Sequence, residues 1–228
     1  PDDFSAVSRV AREVGRAPGA PTICSLARAT PADIDQALRA IEGAGRGRVH
    51  TFLATSPIHR ERKLRMSRTA VLDRVGEMVR YAAARCEDVE LSAEDAGRTE
   101  PDFLHEVVRV AIQAGARTVN IPDTVGYTQP QEFGALVAGI LEEVPEARAI
   151  VISVHCHDDL GLAVANSLAG LRAGARQVEV AVNGIGERAG NTALEEVVMA
   201  LDTRRDLYGL GHRLDTRQLW PTSKLVSQ

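Results

Sequence analysis

The chain has 228 residues, 27 Lys+Arg against 31 Asp+Glu for a net charge of −4, 44% hydrophobic residues and one Trp, the composition of an ordinary globular protein of one domain or slightly more. No run approaches the roughly 18 apolar residues of a membrane span, and the interspersed charges give no basic footprint for nucleic acid or an anionic membrane. Cys24, Cys86 and Cys156 are odd in number and lack CxxC spacing, which excludes a disulfide framework and sets the expectation of a reducing, cytoplasmic setting.

The chain opens at Pro1 into a helical pattern over residues 2–15, without an initiating Met or a leader pattern, so a piece of a longer protein is expected. A strand at 22–27 follows, then a helix on Ile34, Leu38 and Ile41, and a strand at 48–55. Val71, Val75, Met78 and Val79 mark the next helix, 89–92 the next strand, and Phe103, Val107, Val110 and Ala111 the helix after it. A strand at 118–121, a helix on Phe133, Leu136, Val137, Ile140 and Leu141, and a strand at 149–155 come next. A helix on Leu162, Ala165, Leu168 and Leu171 leads to a sixth strand at 177–182. Thr30-Pro31 and Thr99-Glu100-Pro101 read as capped helix starts. Ala44-Gly45, Ala114-Gly115-Ala116 and Ala173-Gly174-Ala175 read as glycine stops.

Apolar strands recurring every 25–40 residues or so, each followed by a helix, predict an α/β protein with a parallel sheet. A doubly wound sheet would carry a glycine-rich phosphate loop after its first strand, whereas a (β/α)8 barrel spreads polar residues over many strand ends. The second pattern is the one present: Ser25 and Arg28, His50 to Ser56, Glu94 and Asp95, Asp123 and Thr124, His155 and His157, and Asn183 fall at successive strand ends. The expectation is an incomplete TIM barrel with about six of eight strands, lacking roughly two strands and a helix upstream.

The sharpest constellation is Ile152-Ser-Val-His155-Cys-His157-Asp158-Asp159-Leu-Gly161. Alternation along a strand puts His155 and His157 on one face, where two imidazoles can grip one cation. Structural histidines are the competing reading; the Asp-Asp-x-Gly continuation at a strand-to-helix junction favours metal. Asp158 and Asp159 sit where a helix begins and read as caps or partners of the histidines. A second constellation, Asn183-Gly-Ile-Gly186-Glu187-Arg188-Ala-Gly190-Asn191, is not a dinucleotide fingerprint, because its glycines follow GxGxxxG late in the chain. It reads as an active-site loop, with Asn191 offering a neutral oxygen ligand and Glu187 a carboxylate to orient it, or else both capping the next helix.

These two segments, with His50-Thr-Phe-Leu-Ala-Thr-Ser56, Ser92-Ala-Glu94-Asp95 and Pro122-Asp123-Thr124-Val-Gly126, resemble the 2-isopropylmalate synthase and homocitrate synthase family of metal-dependent, Claisen-condensing barrels, and the wording is closest to the bacterial 2-isopropylmalate synthases. The resemblance implies an acyltransferase joining acetyl-CoA to 3-methyl-2-oxobutanoate, in leucine biosynthesis; homocitrate and citramalate synthesis, with other 2-oxo acids, stay open. It implies metal ligation by His155, His157 and Asn191, substrate binding by Thr124, Ser92 and His50, and catalytic roles for Glu94, Glu187 and His50. The implied metal is Mn2+ or Mg2+, with Zn2+ or Co2+ also suited to imidazole; the co-substrate is acetyl-CoA, and the full-length protein is implied to be a cytoplasmic homodimer.

The family's first-strand Arg-Asp-Gly-Glu-Gln motif, which supplies a metal ligand and a charge-stabilising Arg, does not occur in this sequence. Residues 1–208 are therefore expected to form a partial catalytic barrel and 209–228 to begin a linker to a helical subdomain and C-terminal domain. The fragment alone is expected to be inactive. A catalytically silent, metal-binding fragment is the alternative. An HxH metallohydrolase barrel would carry its histidine pair on the first strand, against the order here.

Overall fold

The computed structural model describes residues 2–228. Six strands, β1 (Ile23–Arg28), β2 (Gly47–Ala54), β3 (Asp88–Glu94), β4 (Thr118–Asp123), β5 (Val151–Cys156) and β6 (Gln177–Glu179), pair in chain order, each parallel to its neighbour. Parallel neighbours require a crossover, supplied by α2 (Pro31–Ile41), α3 (Arg68–Ala83), α4 (Pro101–Ala114), α5 (Pro130–Glu143) and α6 (Ala163–Ala173). Helix α1 (Asp2–Glu13) precedes β1, and α7 (Leu194–Thr203), α8 (Arg205–Tyr208) and α9 (Leu219–Val226) follow β6.

Four local expectations need correcting. The fifth strand starts late, at Val151, because Pro145–Ala149 closes into a 3-10 turn, and the sixth ends early, at Glu179, because Val182–Gly184 turns with Asn183 in the left-handed region (φ 61°), a conformation Asn tolerates. Thr30 caps α2 by accepting the Asp33 N–H at 3.4 Å, but α4 starts on Glu100 with no side-chain cap; the Thr99 hydroxyl instead bonds the Asp95 carbonyl (2.9 Å) and Thr55 (2.7 Å). Gly115 and Gly174 do end α4 and α6 at positive φ, whereas α2 stops at Ile41, ahead of Gly45.

The sheet is curled. In a flat sheet β2 and β6, four places apart, would be about 19 Å from each other at the usual strand spacing, yet Arg48 Nη1 of β2 donates to Gln177 Oε1 of β6 at 2.8 Å. Six parallel strands thus make an open part of a (β/α)8 barrel. Alternation divides each strand: Val49, Leu53, Val89, Leu91, Val119, Ile121, Ile152 and Val154 pack under the helices against Phe103, Leu104, Phe133 and Ile140, all buried. The concave face is polar instead, carrying Arg48, His50, Glu90, Ser92, Asn120, Ser153, His155, Gln177 and Glu179. A barrel interior of this kind stays packed only if its polar groups satisfy one another.

β1 is open on that concave side: buried Ile23, Ser25 and Ala27 alternate with exposed Cys24, Leu26 and Arg28, and Leu26 is 63% exposed. Unpaired edges with apolar side chains associate. The 228-residue chain by itself is expected to gain mass with concentration in sedimentation equilibrium, and Leu26→Lys to lessen the effect; a monomer at all concentrations contradicts this.

Arg60 fastens the β2–α3 connection to α4. Its guanidinium donates to both Glu100 carboxylate oxygens (2.8 and 2.9 Å) and to the Thr55 carbonyl (2.6 Å), and lies 4.7 Å from the Phe103 ring centroid. The Arg60 hydrogen bonds hold the Glu100 carboxyl at about 2. A carboxyl held below its unfolded value of roughly 4.3 adds stability that is complete above that value and is lost as pH falls through the folded one. The urea midpoint of the wild type is expected to fall more steeply between pH 5 and pH 2.5 than that of Glu100→Gln; parallel pH dependences contradict the assignment.

Candidate metal centre

β5 carries His155, with His157 just past its end, onto the concave face and Cys156 onto the other. The Cys156 thiol is buried and pushed up to about 12, chiefly by that burial, so it is an inert packing group. The two imidazoles converge, with Nε2 atoms 2.8 Å apart and rings edge to face at 4.8 Å between centroids. Two nitrogens bound to one cation at about 2.0–2.1 Å each stand roughly 3 Å apart when their bonds are at right angles, so the spacing suits a shared ion. Burial, then His155 and the Arg188 guanidinium, push His157 below the ordinary imidazole value and keep it in the neutral form that ligation requires.

The loop after β6 brings the third donor. Asn191 bridges antiparallel to His157, donates its N–H to the Gly184 carbonyl (2.9 Å), and is followed by Thr192, whose N–H reaches the Cys156 carbonyl at 3.1 Å. Gly186 lets the loop fold over the Asn191 side chain, since a Cβ there would lie 2.5 Å from Oδ1. That Oδ1 is buried and without a hydrogen-bond partner, a cost a folded protein rarely carries without reason. Two facing imidazole nitrogens beside an unpaired amide oxygen fit a divalent cation. The neighbouring carboxylates are otherwise engaged, as expected of caps and partners: Asp158 Oδ1 accepts the Ala163 N–H (2.9 Å) at the start of α6, and Asp159 pairs with Arg188 (2.6 and 2.8 Å).

Below this pair the concave face is continuous. His50 Nε2 lies 2.8 Å from Ser92 Oγ, which also accepts from Asn120 Nδ2 at 2.8 Å. Burial lowers the His50 pKa despite the nearby Glu179 carboxylate. Glu179 is the register partner of His155 on the neighbouring strand, its Oε2 3.1 Å from His155 Nδ1 and its Oε1 3.6 Å from His50 Nδ1. Burial would raise Glu179, but the His155 hydrogen bond and the two imidazoles outweigh it and lower it; Glu90, raised to about 7 by burial and by Glu179, takes the opposite share. Arg48 (2.7 Å) and Gln177 (2.8 Å) each hold one Glu90 oxygen. His50, Glu90 and Glu179 bring ligand atoms within 4.8 Å of one another, with both Glu90 oxygens already engaged by Arg48 and Gln177.

The remaining predicted residues lie around the rim. Thr124, just past β4, accepts the Asp95 N–H on Oγ1 at 2.9 Å, and its carbonyl accepts from Arg188 at 2.9 Å. Glu94 closes β3 and is held by Lys63 Nζ at 2.7 and 3.0 Å. Glu187 stands apart: its side chain is 76% exposed and touches Arg188 Nη1 at 3.2 Å. Sequence reading missed Glu179, Glu90 and Asn120, although a charged or amide residue on the same alternation as His50, inside an otherwise apolar strand, was the available signal. It also missed Arg188, whose Nη2 lies 2.8 Å from His157 Nδ1. His59 and His212 lie 3.3 Å from the carboxylates of Asp95 and Asp202, away from this pair.

Comparison with known proteins places this arrangement. The chain is 55% identical over 238 aligned residues to the 2-isopropylmalate synthase of Synechococcus sp. (strain RCC307), covering 100% of this chain and 44% of that protein. It is 54% identical over 225 residues to the 2-isopropylmalate synthase of Aquifex aeolicus (strain VF5), covering 98% and 42%. The chain thus spans under half the length of these relatives. Among solved structures, hydroxymethylglutaryl-CoA lyase from Pseudomonas aeruginosa superposes with a TM-score of 0.76 at 24% identity, over 97% of this chain and 75% of the other. The HMG-CoA lyase of Brucella melitensis gives 0.77 at 18% identity, over 99% and 78%; both share the fold. The family profile described as HMGL-like matches residues 1–226, and the chain belongs to the HMGL-like family.

Proposed function

We propose that this chain is the metal- and substrate-holding part of a 2-isopropylmalate synthase, an acyltransferase that joins acetyl-CoA to 3-methyl-2-oxobutanoate in leucine biosynthesis. One observation carries the reading: the facing Nε2 atoms of His155 and His157, beside the unpaired Asn191 oxygen, in a chain 55% identical throughout to such a synthase. His155, His157 and Asn191 would hold Mn2+ or Mg2+, with Zn2+ and Co2+ compatible with the same donors. Such an ion supplies Lewis-acid polarisation of the 2-oxo acid's keto group.

The residues around it bind and move protons. Thr124 Oγ1 already accepts a backbone N–H, so its own hydroxyl proton is left to donate to the substrate carboxylate. Ser92 and His50 line the floor of the same pocket. His50 is kept neutral by burial and can hold a proton at one ring nitrogen. The acetyl methyl group gives up a proton to a base of the pocket, with His50, Glu94 and Glu187 the groups at hand. Its carbon bonds to the keto carbon, whose oxygen takes up a proton, and water then cleaves the thioester to release CoA and a carboxylate. Glu187, exposed on the loop, stands where a co-substrate approaching from solvent would meet it.

Residues 1–208 are the barrel part and 209–228 the start of a connection to further domains; the full-length protein is a cytoplasmic homodimer on this reading. Homocitrate and citramalate synthases would use the same apparatus on 2-oxoglutarate and pyruvate. Rates of CoA release by the full-length protein with the three 2-oxo acids decide between them: kcat/KM is expected to be highest for 3-methyl-2-oxobutanoate, and a preference for either of the others reassigns the substrate.

A further inference from the structure

Glu179 lies between two imidazoles of different function, 3.1 Å from Nδ1 of His155 and 3.6 Å from Nδ1 of His50. A carboxylate only accepts, so each ring nitrogen facing it carries the hydrogen and each Nε2 keeps its lone pair. The His155 lone pair then points at His157 Nε2, 2.8 Å away, where a cation would be shared. The His50 lone pair points at Ser92 Oγ at 2.8 Å. Ser92 Oγ already accepts from the buried Asn120 amide at 2.8 Å, which leaves its hydroxyl hydrogen for His50. The hydrogen bonds therefore run in one direction, from Asn120 through Ser92 to His50, and the Nδ1 atoms of His50 and His155 both face the Glu179 carboxylate across 3.6 and 3.1 Å.

We infer that Glu179 is a positioning residue that fixes the tautomer and ring orientation of His155 and His50 together, and so joins metal affinity to the geometry of the substrate pocket. This rests on the metal reading of His155 and His157. Histidine ligands usually donate their second ring N–H to such a partner, whose loss typically costs 10–100-fold in metal affinity or activity. Glu179 is not itself the natural ion ligand in the His50, Glu90 and Glu179 grouping. Arg48 and Gln177 take the two Glu90 oxygens, so that grouping has no Glu90 oxygen left free for an ion.

The test is Mn2+ binding to the full-length protein, read from the electron paramagnetic resonance signal of free ion, together with KM for the 2-oxo acid. Glu179→Gln is expected to weaken Mn2+ binding about 10–100-fold and to raise KM, because one amide oxygen can serve only one of the two imidazoles. Glu179→Asp, which keeps the charge but withdraws it, should fall between Gln and wild type, and it serves as the readout if the Gln variant does not fold. Wild-type protein that binds no Mn2+ overturns the metal reading itself. Wild-type binding with an unchanged Glu179→Gln affinity overturns the positioning role.

Discussion

His157→Ala in the full-length protein is expected to remove Mn2+ binding and, with it, CoA release from acetyl-CoA and 3-methyl-2-oxobutanoate. The substitution deletes one of three converging donors, so the loss should exceed the 10–100-fold that an outer partner is worth, and turnover should fall by at least the 10²–10³ or so that one preorganised electrostatic group contributes. Metal-free stability should barely change, because Arg188 keeps its bonds to Asp159 and to the Thr124 carbonyl. His155→Ala should abolish binding as well but also destabilise the metal-free protein more than His157→Ala does, since it removes the imidazole that faces the half-buried Glu179 carboxylate at 3.1 Å. Urea denaturation of the two metal-free variants measures that difference; equal stabilities contradict the asymmetry.

The second large effect is expected from the 228-residue chain alone, which should bind Mn2+ weakly and release no CoA. Its donors are two imidazoles and an amide, all neutral, and the Arg-Asp-Gly-Glu-Gln motif that the resembling synthases carry on an earlier strand does not occur in it. Each missing charge-stabilising group costs on the order of 10² to 10³ in turnover, and two such groups together take the rate below detection. A thiol assay compares this chain with the full-length polypeptide: release by the latter only is expected, and robust release by residues 1–228 contradicts the account.

The fold was largely legible because its signals are local. Six apolar runs of strand length, each answered by a helix with period 3.6, leave a parallel sheet as the only economical solution, and the HxH pair follows from strand alternation alone. The cap at Thr99 was misread because tertiary partners, Thr55 and the Asp95 carbonyl, outcompeted the local one. The short sixth strand was misread because Asn183 is drawn into a left-handed turn by contacts with Ser223, forty residues later. Glu179 and Asn120 escaped for the same reason. Their roles depend on the curl that brings β6 opposite β2 and on the register that sets Asn120 beside Ser92, and neither is written in a stretch of neighbouring residues. Glu187 shows the converse: the motif marks it clearly, while the structure leaves its side chain at the solvent-facing rim.

The account turns on where the cation sits. Anomalous diffraction from crystals of the full-length protein grown with Mn2+ locates it directly: a single strong peak touching Nε2 of His155, Nε2 of His157 and Oδ1 of Asn191 is the predicted result, and a peak among His50, Glu90 and Glu179 with none at the histidine pair would contradict it.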